Sequence, residues 1–184
     1  MVNPRLVYYL RICIVLTSYV FTSACSTNND YILYEGDDFT FSAPAGYKTK
    51  VYEPPYFDSS TNSELLLFSN IGHYPFFEIH RKKIPSESDL DTVFADYMSI
   101  ISGKYSSSYQ FMSQNTITIN NLTAIEYMHC EYLGEPYVQS REIWMEYNGW
   151  AYSLVCVHPG SGTSCAMIPV SDQCIQLAEG FHFK

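Results

Sequence analysis

The dipeptide Asn148-Gly149 constrains the fold of this chain more than any other feature of its sequence. It separates two strand-like segments, 140–147 and 150–158, in which apolar and polar residues are interleaved. Asn-Gly is the strongest short signal for a two-residue hairpin loop, because both residues tolerate the positive φ angles of that turn. Such a loop also sets the register, which pairs Tyr147 with Trp150, Met145 with Tyr152, Ile143 with Leu154 and Arg141 with Cys156.

This register sorts the side chains of the hairpin onto two faces, because successive residues of a strand point in opposite directions. The first face is predicted to pack in the core and carries Ile143, Met145, Tyr147, Trp150, Tyr152, Leu154 and Cys156. The second face is mixed and is predicted to be lightly covered or wet; it carries Glu142, Trp144, Glu146, Ala151, Ser153, Val155 and Val157.

Further signals extend the hairpin into one α+β domain, an antiparallel β-sheet flanked by two helices. Apolar residues from Leu90 to Ile101 recur at helical spacing, with Ser86 or Ser88 as the N-cap and Gly103 as the stop. A second, short helix is predicted over 170–180. Asn120-Asn121 predicts another tight turn. Other strands are predicted at 38–42, 47–52 (ended by Pro54-Pro55), 64–71, 76–80, 110–119 and 123–133.

The N-terminus has the layout of an export signal. Arg5 and Arg11 precede an apolar stretch, 12–21, which is followed by small residues and then by Cys25. This resembles the lipobox of bacterial and archaeal lipoproteins, although Thr22 stands where that box prefers Leu. The resemblance implies a signal peptide over 1–24, lipidation of Cys25, a polar tether over 25–30 and one domain over 31–184. A soluble secreted protein cut after Ala24, or an uncleaved anchor, is the alternative.

The charge of the chain limits its partners. Lys plus Arg number 10 and Asp plus Glu number 19, so losing Arg5 and Arg11 leaves 8 cations and a net charge of −11. An acidic surface repels phosphate backbones and anionic lipid heads. We therefore expect no nucleic-acid partner, and we expect any membrane attachment to run through the lipid. The predicted location is the cell envelope.

Four cysteines remain after removal of the signal: Cys130, Cys156, Cys165 and Cys174. An even number in an oxidising compartment suggests disulfides, although four buried free thiols are the alternative. Cys165 and Cys174 flank a segment rich in Gly, Ser and Pro, and we predict that they form one bridge. In a simple meander Cys130 and Cys156 would lie about 9–10 Å apart, which is too far for a disulfide.

Three stretches resemble the PsbP/Mog1/DcrB group of α/β/α sandwiches. They are the opening 39–47, the hairpin 117–124, with Asn121 where Gly is usual, and the closing 180–183. The likeness spans about 31–184, and the signal fits the lipoprotein branch. The group has no shared catalytic site, so the resemblance implies a binding or accessory role in a protein or envelope complex, with no catalytic residue and no cofactor.

Two candidate sites come from the residues themselves. Trp144 on the mixed face, with Tyr127 or Tyr132 adjacent, would form an aromatic platform for a protein partner or a glycan. High β-propensity also explains many of the 17 tyrosines without any site. The alternative function is a secreted small enzyme or metal-binding protein that uses His129, Cys156 and His158, the last two being on one strand face. A soluble ligand- or glycan-binding protein is the third reading.

Overall fold

The computed structural model describes residues 31–72, 74–104, 108–131, 137–159 and 172–184. Within these ranges the chain forms ten strands and two helices. In chain order they are β1 (Tyr31–Glu35), β2 (Phe39–Pro44), β3 (Lys48–Asp58), β4 (Ser63–Asn70), β5 (Phe76–Lys83), α1 (Leu90–Lys104), β6 (Gln110–Ile119), β7 (Leu122–Glu131), β8 (Val138–Tyr147), β9 (Trp150–Pro159), α2 (Asp172–Glu179) and β10 (Phe181–Phe183).

The strands form a seven-stranded antiparallel sheet, ordered β3-β4-β5-β9-β8-β7-β6, and a three-stranded sheet, ordered β1-β2-β10. Both predicted tight turns are present, with positive φ angles at Asn120, Asn121, Asn148 and Gly149. The predicted register of β8 and β9 is confirmed at all four pairs. The fold class predicted from the sequence is therefore confirmed.

The first face of the β8–β9 hairpin lies in the main core, as predicted. Ile143, Met145, Tyr152 and Leu154 are each no more than 1% exposed. The three-stranded sheet and α2 supply the other side of this core, where Phe41 of β2 stacks on Phe77 at a centroid distance of 5.1 Å.

Most of the second face is buried, so the prediction that it is lightly covered or wet is wrong. Helix α1 covers Trp144 and Ala151, whereas Val155 and Val157 lie in a separate apolar cluster with Tyr74 and Phe76. Val93, Phe94, Tyr97 and Ile101 of the helix pack on Tyr127, Trp144 and Ala151 of the sheet. Glu146 at the end of β8 stays exposed. The helical spacing predicted α1 itself, but no local signal says which sheet face an amphipathic helix will cover. Neither helix in the described part of the chain is long and apolar enough to cross a membrane.

Among the element boundaries that differ from their predictions, those of α1 and β3 have a clear physical reason. The N-cap of α1 is Asp89, whose Oδ1 accepts bonds from the Thr92 backbone N–H (2.9 Å) and hydroxyl (2.7 Å). Aspartate is as good an N-cap as serine, so neither serine is needed. Strand β3 continues past Pro54-Pro55 to Asp58, with a register shift against β4 between Val51 and Tyr56. Because β3 is an edge strand that, among the described strands, pairs only with β4, these prolines remove no hydrogen bond to a second neighbouring strand.

The disulfide joins Cys156 of β9 to Cys174 of α2, with a Cα–Cα distance of 5.7 Å. The predicted Cys165–Cys174 bridge is therefore wrong, since Cys174 already has a partner; Cys165 lies outside the described residues. Cys130 is also disulfide-bonded. As expected for a simple meander, β8 separates Cys130 from Cys156. The sequence could not predict the bridge because it depends on where α2 packs on the sheet.

Candidate functional site

A groove runs along α1 where the helix leaves part of its sheet face uncovered. One depression of about 520 Å³ and another of about 530 Å³ share Asp91 and together occupy the space between the helix, β6 and β7. We call this the α1 groove and define it by Asp91, Ala95, Met98, Phe111, Gln114, Ile125 and Glu146.

Local periodicity places these side chains together. Asp91, Ala95 and Met98 are four and three residues apart, so they form one stripe along the helix. On the sheet, the register sets Gln114 opposite Tyr127, which places Gln114 on the face that α1 covers. Phe111 is 54% exposed and its ring lies 5.6 Å from that of Tyr127. The exposed ring of Phe111, packed on the buried ring of Tyr127, gives the Phe111 end of the groove an apolar floor.

The other end of the groove is acidic. Asp89, Asp91 and Glu146 line it, and none of the described residues lining the two depressions is Lys, Arg or His. Hydrogen bonds from Thr92 hold the pKa of Asp89 below its usual value. Asp91 and Glu146 are exposed and form no ion pair with any side chain in the described ranges. The groove therefore presents apolar surface together with uncompensated negative charge.

A buried carboxylate lies on the same sheet face, beneath α1. Glu142 is 1% exposed and accepts hydrogen bonds from Trp144 Nε1 (2.8 Å) and from the Tyr97 hydroxyl (3.2 Å). His129 Nδ1 lies 3.7 Å from Glu142, and its Nε2 lies 3.7 Å from Glu131. Burial raises the pKa of Glu142, although His129 and the two hydrogen bonds oppose that shift.

The contact with Tyr97 ties the helix to the sheet. Burial, and then the negative charge of Glu142, raise the pKa of the Tyr97 hydroxyl well above its usual value. The hydroxyl therefore remains a donor at any physiological pH. Because Tyr97 is on α1 and Glu142 is on β8, this bond adds to the apolar packing that holds the helix, and hence one wall of the α1 groove, on the sheet.

Ser63, His80 and Glu78 form a hydrogen-bonded chain that sequence reasoning missed. Ser63 Oγ lies 3.1 Å from His80 Nδ1, and His80 Nε2 lies 3.0 Å from Glu78 Oε2. A hydroxyl, an imidazole and a carboxylate in this order form the arrangement of a hydrolase nucleophile and its base. Ser63, however, is 6% exposed, and Thr61 Oγ1 lies 2.7 Å from its hydroxyl. The chain of bonds therefore joins β4 to β5 within the protein. To predict this chain of hydrogen bonds one would need the register of β4 against β5, which the sequence signals only weakly.

A smaller cleft, of about 150 Å³, contains the guanidinium of Arg81. Arg81 donates to Glu64 Oε2 (2.7 Å) and Asp38 Oδ2 (3.3 Å), and it stacks on the Trp150 ring 4.4 Å from the centroid. Tyr152 also donates to Asp38 (2.9 Å), and burial together with this bond raises the pKa of Tyr152 to about 12. These charges pair with one another, so the arrangement holds the loop before β2 against the large sheet.

The predicted aromatic platform is wrong. Trp144 is 2% exposed and Tyr127 is 5% exposed, because α1 packs over both and Phe94 meets each ring edge-on. The two rings therefore form no exposed platform, and Tyr127 contributes only to the floor of the α1 groove beneath Phe111. Tyr132, the third predicted member, lies outside the described residues, as does the predicted lipidation site, Cys25.

The alternative set His129, Cys156 and His158 is not brought together either. The sheet register places His129 opposite Ser140, on the α1 side. Cys156 and His158 pair with Arg141 and Gln139, on the side that faces the main core. Cys156 is also in the disulfide. Among the described residues, no group of three or more His, Cys, Asp or Glu side chains has the arrangement of a metal site.

Comparisons with known proteins bear on the fold alone. No protein-family model matches the sequence, and the search of curated proteins gave no match. The solution structure of the cyanobacterial PsbP (CyanoP) of Synechocystis sp. PCC 6803 is similar, with a TM-score of 0.59 and 10% identity over 88% of this chain and 98% of that one. A crystal structure from Bacteroides thetaiotaomicron VPI-5482 is similar at a TM-score of 0.51 and 11% identity, over 86% of this chain and 49% of that one. The chain therefore has a PsbP-like α+β fold.

Proposed function

We propose that this protein is a non-catalytic accessory module of the cell envelope that binds a protein partner through the α1 groove. The α1 groove carries the proposal, because it combines an exposed aromatic ring with charge that no described residue neutralises. Aromatic side chains are enriched where proteins bind one another. The PsbP-like fold supports an accessory role by analogy only.

Attachment to the envelope is the second part of the proposal and rests on the sequence. The signal-like residues 1–24 and the lipobox-like Cys25 support export and lipidation. The tether 25–30 would then lead directly from the lipid to β1. The net charge of −11 disfavours both nucleic acid and anionic lipid heads as ligands of the domain.

Site-specific photo-crosslinking in the host tests the binding function. A photoreactive phenylalanine analogue placed at Phe111, in the groove, should cross-link to one defined protein. The control is the same analogue at Tyr56, which is 59% exposed on β3, at the other edge of the sheet. An adduct from Phe111 but not from Tyr56 supports the proposal. The same adduct from both positions, or from neither, would refute it.

Hydrolysis is the competing function, because Ser63, His80 and Glu78 have suitable distances. We expect a fluorophosphonate reagent to leave Ser63 unlabelled, since the hydroxyl is buried and bonded on two sides. Mass spectrometry of the tryptic peptide containing Ser63 would detect labelling. Labelling of the parent that is lost in His80→Gln would show that the serine is activated and would favour an enzyme.

A further inference from the structure

We propose that the partner segment is extended and cationic, that it adds a strand to the free edge of β6, and that it lays alternate side chains into the α1 groove. This inference rests on the proposed function and names the chemistry of its partner. Two independent features carry it: the composition of the β6 edge and the charge of the groove beside it.

The two edges of the large sheet differ in composition. Edge strands expose unpaired backbone groups, and proteins usually protect them with charged residues, prolines or bulges. The edge strand β3 has Lys48, Lys50, Pro54 and Pro55. The other edge strand, β6, reads QFMSQNTITI and has neither a charged residue nor a proline over its ten residues. Its one irregularity is a register shift between Phe111 and Ser113, near its start. Beyond that point, no described strand pairs with the outer edge of β6, which leaves its backbone groups available for strand addition.

The backbone groups that would pair can be identified from the turn. In a two-residue hairpin the residues flanking the loop exchange both hydrogen bonds, and bonded pairs alternate with non-bonded ones. Here Ile119 and Leu122 flank the loop, so Thr118 and Thr116 belong to non-bonded pairs with β7. Their N–H and C=O groups therefore point away from β7, toward the free edge. Strand addition in this mode obtains affinity from these main-chain bonds and specificity from alternate side chains.

The charge of the groove selects a cationic occupant. A strand beside β6 would project every second side chain onto the face that α1 covers, toward Asp91 and Phe111. Basic side chains there would offset the uncompensated acids, and apolar ones would cover Phe111. A second copy of this chain is disfavoured as occupant, because each copy has a net charge of −11 after loss of the signal.

Synthetic peptides test the inference on the purified domain in its tether-containing form. The probe is a fluorescein-labelled twelve-residue peptide that has Lys or Phe at every odd position and Thr at every even one, so that its basic and apolar side chains share one strand face. Its counterpart has Glu for every Lys. We expect fluorescence anisotropy to detect binding of the Lys peptide alone, with affinity falling as salt rises. Equal binding of the Glu peptide would overturn the inference.

Charge reversal locates the attraction. The double substitution Asp91→Lys with Glu146→Lys should weaken the Lys peptide roughly tenfold or more, which corresponds to about 1.4 kcal/mol. Glu53→Lys with Glu179→Lys is the matched control, since both residues are exposed, lie outside the groove and give the same change in net charge. An equal loss of peptide affinity in both variants would show that the peptide is attracted by the net charge of the protein and not by the groove, and would overturn the inference.

A proline substitution tests the strand pairing. Thr116→Pro removes an N–H that points away from β7, so the fold should persist while peptide binding is lost. Thr116→Val keeps that N–H and should bind normally. Unchanged binding by a folded Thr116→Pro would overturn strand addition.

Light scattering of the parent protein alone tests whether a second copy of this chain occupies the β6 edge. A dimer that Thr116→Pro abolishes would identify a second copy as the occupant and would overturn the proposal of a cationic partner.

The two proposals can fail separately. If Phe111 cross-links to a protein in the host while the Lys peptide fails these tests, the binding function stands and the extended cationic segment is wrong. If Phe111 yields no specific adduct, the binding function itself is wrong.

Discussion

At the scale of single residues, a carboxylate lies in the centre of the large sheet at Glu142. It is hydrogen-bonded to Trp144 and Tyr97, yet burial still raises its pKa. An isolated polar or charged group in this position would be costly, so the hydrogen bonds and the nearby His129 are what make the site tolerable. Nothing in the strand pattern marks Glu142 as buried, since it alternates with core residues as an exposed glutamate would.

The raised pKa of Glu142 predicts a pH dependence of stability. In the unfolded chain the glutamate pKa is about 4.3, so the native state binds this proton more tightly than the unfolded state does. Glu142 therefore lowers the unfolding free energy increasingly as pH rises through the interval between the two pKa values. We expect Glu142→Gln to be more stable than the parent at about pH 8 and close to it at about pH 4. Urea unfolding at both pH values measures this.

Glutamine is a fair test because it can keep both contacts, with Oε1 accepting from Trp144 and Nε2 donating to the Tyr97 oxygen. If Glu142→Gln is less stable than the parent at about pH 8, the native protein depends on the charge, and the expected sign is wrong.

Gly180 provides a second prediction at this scale. It lies between α2 and β10, and its carbonyl accepts the Ser42 backbone N–H at 2.9 Å. A Cβ at Gly180 would overlap the Ser42 carbonyl oxygen. We expect Gly180→Ala to cost about 1–3 kcal/mol of unfolding free energy, the usual range for overpacking. Gly103→Ala is the control, because a Cβ there meets nothing within 4 Å; equal effects of the two substitutions would contradict the prediction.

At the scale of elements, the disulfide connects helix α2 to the sheet. Cys156 and Cys174 are 18 residues apart, and closing a loop of that size should stabilise the fold by about 3 kcal/mol. We expect the double variant Cys156→Ser with Cys174→Ser to lose about that amount in urea unfolding. An unchanged midpoint would show that the packing of Leu177 and Ala178 holds α2 without the bridge.

The same scale shows where local patterns are sufficient. Asn148-Gly149 and Asn120-Asn121 predicted their turns because positive φ angles demand particular residues. The β8–β9 register followed at once from the loop length. The N-cap of α1 and the end of β3 were less predictable, since Asp89 and two serines compete as caps and prolines are tolerated on an edge strand.

At the scale of the whole molecule, the proposed anchor makes a prediction about mass. Intact mass spectrometry of protein from the host should show a chain beginning at Cys25 that carries lipid. Cys25→Ser is the matched variant and should remain unlipidated and leave the membrane fraction. A parent chain that begins at Cys25 without lipid would make the protein a soluble secreted one and would remove the anchor from the proposed function.

The sequence by itself determined both helices, eight of the ten described strands, the tight turns and one hairpin register, because turn chemistry and side-chain periodicity are local. Strands β1 and β10 were not predicted, and the PsbP-like α+β fold class followed from the resemblance. The tertiary structure alone decided that α1 covers Trp144 and Tyr127, that Cys174 pairs with Cys156, and that Phe111 and Asp91 line one groove. Each of these joins residues far apart in the chain. Such contacts depend on which faces pack together to bury the most apolar surface, and no local pattern encodes that choice.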